Sequence, residues 1–149
     1  MKYSKEMADK LNELLQRNYD SEKGFKNAVD DVKNPQLKSF FKEKAQERYD
    51  FGHELKSEIR NFGEAPEKGS SVKADAHRTW MDLKSALSGD NEEAVLEEAI
   101  RGEKMAVENY NEVIKDNDFP PSTKNLLLKQ RNAIQKTLDN VKSLEDSFS

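Results

Sequence analysis

The 149 residues contain no cysteine, and histidine occurs only twice. Disulfide frameworks, thiolate nucleophiles, thiolate zinc sites and iron–sulfur clusters are therefore excluded, and imidazole chemistry is confined to His53 and His77. No apolar run approaches the roughly 18 residues of a membrane span, and Met1-Lys2-Tyr3-Ser4-Lys5-Glu6 offers no apolar stretch of signal-peptide length. The expectation is a soluble cytoplasmic chain. An excess of positive charge is also missing: 25 Lys and Arg stand against 29 Asp and Glu, for a net charge of -4. Neither nucleic acid nor an anionic membrane is an expected partner. Leu, Ile, Val and Phe amount to 31 of 149 residues, about 21%, only just above the level at which chains tend to stay unfolded. Folding then depends on where those residues are placed.

They recur at spacings of three and four, the helical period, and nowhere alternate as in a strand. The spacing predicts a first helix over about Ser4 to Val32 with Leu11, Leu14, Leu15, Phe25, Val29 and Val32 on one face. Asn34-Pro35 restarts the chain, because Asn34 can accept free amide hydrogens at a helix start where Pro35 has none to offer. A second helix follows to about Phe62 and stops at Gly63. Residues 63–71 are the only linker-like stretch and are too short to divide the chain, so residues 1–149 read as a single domain. A short helix over about Val72 to Leu87 is expected next, carrying His77 and Trp80 and ending at Ser88-Gly89. Asp90 to Glu93 opens a third long helix, running to about Lys115. Pro120-Pro121 breaks it, and a fourth runs to near the carboxyl end. Two long hairpins joined by a connection with its own short helix form an all-α four-helix bundle with one crossover. Of the three glycines expected inside helices, Gly52 and Gly102 should face inward and Gly24 outward.

Charged side chains fall inside the apolar stripes. Glu22 lies among the inward positions of the first helix with Asn18 beside it; Arg48 sits near the centre of the second stripe with Lys44 close by. Glu103 is surrounded by Val95, Leu96, Ala99, Ala106, Val107 and Tyr110, and Gln130 lies between Leu127 and Ile134. Folding the hairpins brings Glu22, Lys44, Arg48, Glu103 and Gln130 to a shared level, at about 1.5 Å rise per residue. An isolated charge there is costly, so the groups pair with one another, hold a metal, or turn to solvent. Pairing gives a buried polar layer; the metal alternative uses Glu22, Glu47 and Glu103.

Arg48, Leu55, Gly69-Ser70, His77-Arg78-Thr79-Trp80-Met81, and Glu98 with Arg101-Gly102-Glu103 together resemble a bacterial family of ferritin-like four-helix-bundle domains of unknown function. The resemblance covers about residues 8 to 145 and implies the ferritin-like fold without an established activity. Relatives of that fold suggest a place in stress physiology by analogy. Ile100 departs from the pattern, standing where a second acid would precede Arg-Gly-Glu. Di-iron bundles of similar fold need Glu-x-x-His on two helices, and this chain has none; Asp50-x-x-His53 has the spacing but points away from the apolar stripe.

The reading is a noncatalytic bundle with a salt-bridge layer in place of a di-iron site, needing no cofactor and acting by binding or association. The alternative is a metal-binding redox or storage protein using iron or manganese. Trp80 is expected to anchor the crossover helix on the bundle, with His77 hydrogen-bonded to a carboxylate such as Glu98 or Glu103. A second stripe on the third helix, Leu96, Ile100, Val107 and Ile114, is broader than one seam needs and predicts an exposed face for a homodimer.

Overall fold

The computed structural model describes residues 2–68 and 92–148, which form four helices. They are α1 (Lys2–Asp31), α2 (Pro35–Asn61), α3 (Glu92–Asp116) and α4 (Pro121–Phe148), with no strand among the described residues. The expected short helix of the crossover, with His77 and Trp80, lies outside the described residues.

Local chemistry sets the helix ends. Asn34 adopts an extended backbone, and its side-chain oxygen accepts from the amides of Gln36 and Leu37 at 2.9 and 3.1 Å, while Pro35 takes the first helical position. α2 ends where Gly63 turns to φ 82°, a conformation that costs glycine nothing. Glu92 and Glu93 stand in the first turn of α3 and Lys115 in its last, matching the helix dipole at both ends. Glu92 also joins the two hairpins, because one of its oxygens accepts from the amides of Lys33 and Asn34 at 3.2 and 2.9 Å.

α1 packs on α2, α3 on α4, α1 on α3 and α2 on α4, so α2 and α3 face each other across a diagonal. α2 ends beside the start of α1, where Tyr3 meets Phe62 edge to face at a centroid distance of 6.5 Å. α3 begins at the opposite end, against the α1–α2 turn. The end of α2 and the start of α3 thus lie at opposite ends of the bundle, as the ferritin-like connectivity of two hairpins and one crossover requires.

The apolar interior divides in two. One cluster includes Leu11, Leu14, Leu55, Tyr110, Leu127 and Ile134; the other includes Phe25, Val32, Leu37, Phe41, Leu96 and Val141. Each fully buried leucine or phenylalanine contributes roughly 1.5–3 kcal/mol. Ile100 packs against both clusters. Two expectations fail at this level. Gly24 is buried, not outward. The second stripe of α3 is no exposed face: Leu96 and Val107 are buried, and Ile100 and Ile114 are partly buried against the core. α3 needs that wide stripe because it packs on α1 along one seam and on α4 along another.

Candidate functional site

Between the two clusters lies the Arg48–Glu103 pair. Arg48 comes from the middle of α2 and Glu103 from the middle of α3, and both side chains have 0% exposure. Nη1 of Arg48 donates to Oε1 of Glu103 at 2.8 Å and Nη2 donates to Oε2, a two-pronged bond across the diagonal. The guanidinium also lies 5.3 Å from the centroid of Phe25 and 6.0 Å from that of Phe51. Burial opposes the charge on Arg48, but the attraction and hydrogen bonds of Glu103 more than reverse it and hold the guanidinium firmly protonated. Burial lifts the Glu103 carboxyl above the usual carboxylate range, with Arg48 opposing that rise. Both Glu103 oxygens accept from Arg48, which requires the ionised carboxylate.

Glu47 completes the charge balance. Its Oε1 is 3.8 Å from Nε of Arg48, and its Oε2 is 3.8 Å from the Lys44 ammonium. Two cations thus face two carboxylates. Lys44 stands at the edge, 13% exposed, with its ammonium 5.6 Å from the Phe40 ring centroid. Its contacts with Glu47 and Glu43, at 3.8 and 4.0 Å, are beyond hydrogen-bond length, so it joins the layer through charge alone. Inside, Oε1 of Glu47 and Nε of Arg48 have no hydrogen-bond partner.

Glu22 does not belong to this layer. It pairs with Lys26 on its own helix at 2.8 Å. The inward positions of α1 at this height are Asn18, Ser21 and Phe25, and Glu22 falls one step round the helix from Ser21, on the flank. Gln130 is fully buried but serves a different network. Tyr110 donates its phenol hydrogen to Oε1 of Gln130 at 2.6 Å and accepts from Asn18 at 2.8 Å. The Gln130 amide then donates to Glu54 at 3.0 Å and to the Phe51 carbonyl at 3.3 Å. Burial pushes the Tyr110 phenol well above the ordinary tyrosine value, partly offset by Asn18. The sequence offered Gln130 without its partners, since Tyr110 reads as one more apolar position. Of the residues carrying the family resemblance, Glu98 and Arg101 are bonded to each other, with Arg101 Nε donating to Glu98 at 2.9 Å.

Among the described residues, those inside the bundle do not fit a di-iron centre. Both oxygens of Glu103 accept from a guanidinium, Glu22 is engaged with Lys26 outside the layer, and the charge of Arg48 lies where cations would have to sit. Glu22, Glu47 and Glu103 therefore do not converge. Among the described residues, three acidic groups approach within 4.8 Å of one another at Glu93, Glu97 and Glu145, of which the first two are exposed. His53 is exposed and meets the Tyr49 ring edge-on at 4.6 Å. His77 and Trp80 lie outside the described residues.

Comparison with solved structures agrees with this architecture. An N-terminal deletion mutant of Dps from Mycobacterium smegmatis is 20% identical, with a TM-score of 0.84 over 100% of each chain. The tetragonal form of Mycobacterium smegmatis Dps is also 20% identical, with a TM-score of 0.81 over 95% of this chain and 88% of that one. At such identity the likeness is one of fold, the ferritin-like four-helix bundle. No curated protein matches the chain. A family model matches residues 6–116, the larger part of the chain, and the chain belongs to the family described as Domain of unknown function (DUF2383).

Proposed function

We propose that this chain is a noncatalytic ferritin-like bundle, one domain over residues 1–149, in which a permanent internal salt bridge takes the place of a di-iron site. It acts by binding or association in the cytoplasm, with stress physiology as the setting suggested by the fold and a homodimer as the simplest assembly, formed through a face other than the covered stripe of α3. The observation that supports this is the pairing of Arg48 with both oxygens of Glu103 at full burial. A carboxylate so held is not free to ligate, and a fixed cation beside it repels a second one. The net charge of -4 weighs against nucleic acid, and no helix among the described residues is long and apolar enough to cross a membrane.

Elemental analysis of protein purified without chelator tests the reading. The expected result is no stoichiometric iron or manganese, and no rise in melting temperature when either ion is added. Iron or manganese bound in whole-number stoichiometry, and lost in Glu103→Gln, would establish the redox or storage alternative instead.

A further inference from the structure

After α2 the chain does not leave the bundle. Residues 64–68 run back along α1, held by three hydrogen bonds: Asn12 donates to the Ala65 carbonyl at 3.3 Å and accepts from the Glu67 amide at 2.8 Å, and the Tyr19 hydroxyl donates to the Glu67 carbonyl at 3.1 Å. Between this strap and the last turns of α2 lies a groove of about 500 Å³ whose charged lining is Lys56, Arg60, Lys68 and Glu67. Three cations thus meet one anion, in a chain whose overall balance is acidic.

Two features mark their placement. Lys56 and Arg60 are four residues apart on one helix face, an arrangement of like charges that weakens a helix. Among the described residues, none of the three cations has a carboxylate within 4 Å, so each keeps its charge available to the groove. The Lys56 ammonium is steadied instead by the Tyr19 ring, 5.5 Å below it. Arg60 stands in the last turn of α2, whose negative end offsets part of its charge, a part reduced because the Glu58, Ile59 and Arg60 carbonyls already accept from the amides of Phe62, Gly63 and Glu64. The walls are pre-positioned and carry two more positive charges than negative.

We propose that this groove is a binding site for a small polyphosphate anion, held by Lys56, Arg60 and Lys68. Lysine supplies compact point charges and arginine a planar fork, a pairing suited to adjacent phosphoryl groups. The proposal does not depend on the metal-free reading of the core, since the groove lies outside the bundle interior. Calorimetric titration of the full chain with sodium tripolyphosphate at low ionic strength tests it. One saturable site is expected, weakened about tenfold or more by Lys56→Gln and by Arg60→Gln, as loss of a charge-assisted hydrogen bond predicts. Lys129→Gln, a lysine removed from the exposed face of α4, should leave the affinity unchanged. ATP serves as a second probe: equal affinity assigns recognition to the phosphate chain alone, and tighter binding adds contact of the base with the groove wall. The charge-keeping variants Lys56→Arg and Arg60→Lys must retain binding, which separates loss of charge from loss of fold. Absence of saturable heat, parent-like binding by the double glutamine variant, or equal weakening by Lys129→Gln would each overturn the site.

Discussion

Glu103 and Tyr110 lie seven residues apart on α3, roughly 10 Å along its axis, and each anchors a buried polar network with different physics. The upper network joins formal charges across the diagonal, Arg48 to Glu103, with a second carboxylate and a lysine at its margin. The lower one joins neutral groups in relay, Asn18 to Tyr110 to Gln130, and reaches an acid only at Glu54. A charge stripped of its partner inside a bundle keeps its full desolvation cost, whereas a neutral hydroxyl or amide loses about one hydrogen bond. The two networks should therefore fail by different amounts.

The largest expected effect is that of Arg48→Ala, which leaves Glu103 buried without a cation and should destabilise by about 3–5 kcal/mol in urea unfolding. A loss below about 1 kcal/mol would contradict the burial of the pair. Replacing both partners, Arg48→Met with Glu103→Leu, should restore stability or raise it by about 1–4 kcal/mol, because no charge is then stranded. Gln130→Leu breaks the neutral relay at its centre and should cost about 1–3 kcal/mol by the same assay.

Tyr110→Phe should cost about 0.5–1.5 kcal/mol at neutral pH. Its pH dependence sharpens the comparison. The folded phenol titrates above the unfolded value of about 10, so its contribution is present below that pH and declines as pH rises towards the folded value. The stability gap between parent and variant should then narrow above about pH 10, and a constant gap would show that Tyr110 is not buried as a neutral phenol. Smallest of all, Lys26→Ala removes the pair with Glu22, whose lysine is 66% exposed, and should change stability by no more than about 0.5 kcal/mol.

The charged network was the more legible of the two. Arg48 and Glu103 interrupt otherwise apolar stripes, and a formal charge there must find a partner. Helix ends were legible for the same kind of reason, since Asn34-Pro35 and Pro120-Pro121 act through local backbone chemistry. The position of Glu22 was not, because it lies one heptad from buried Leu15, only about 20° round the wheel, and that small drift carries it from the inward face to the flank. Nor was the role of Glu47, which depends on side-chain reach from the residue next to Arg48. The Tyr110 relay carries no sequence signal, as its ring fills the core like any aromatic while its hydroxyl finds partners on two other helices. The breadth of the α3 stripe was visible, but its meaning required knowing that two neighbours share it.

The diagonal pair also fixes how the two hairpins slide past each other. Apolar side chains at spacings of three and four tolerate a shift of one helical turn, about 5.4 Å, with much of their burial intact. Arg48 and Glu103 do not, because such a shift would part a bond of 2.8 Å and leave both charges in apolar surroundings. The bundle thus carries an internal register pin, and its misaligned forms are excluded by electrostatics where packing alone would have allowed them.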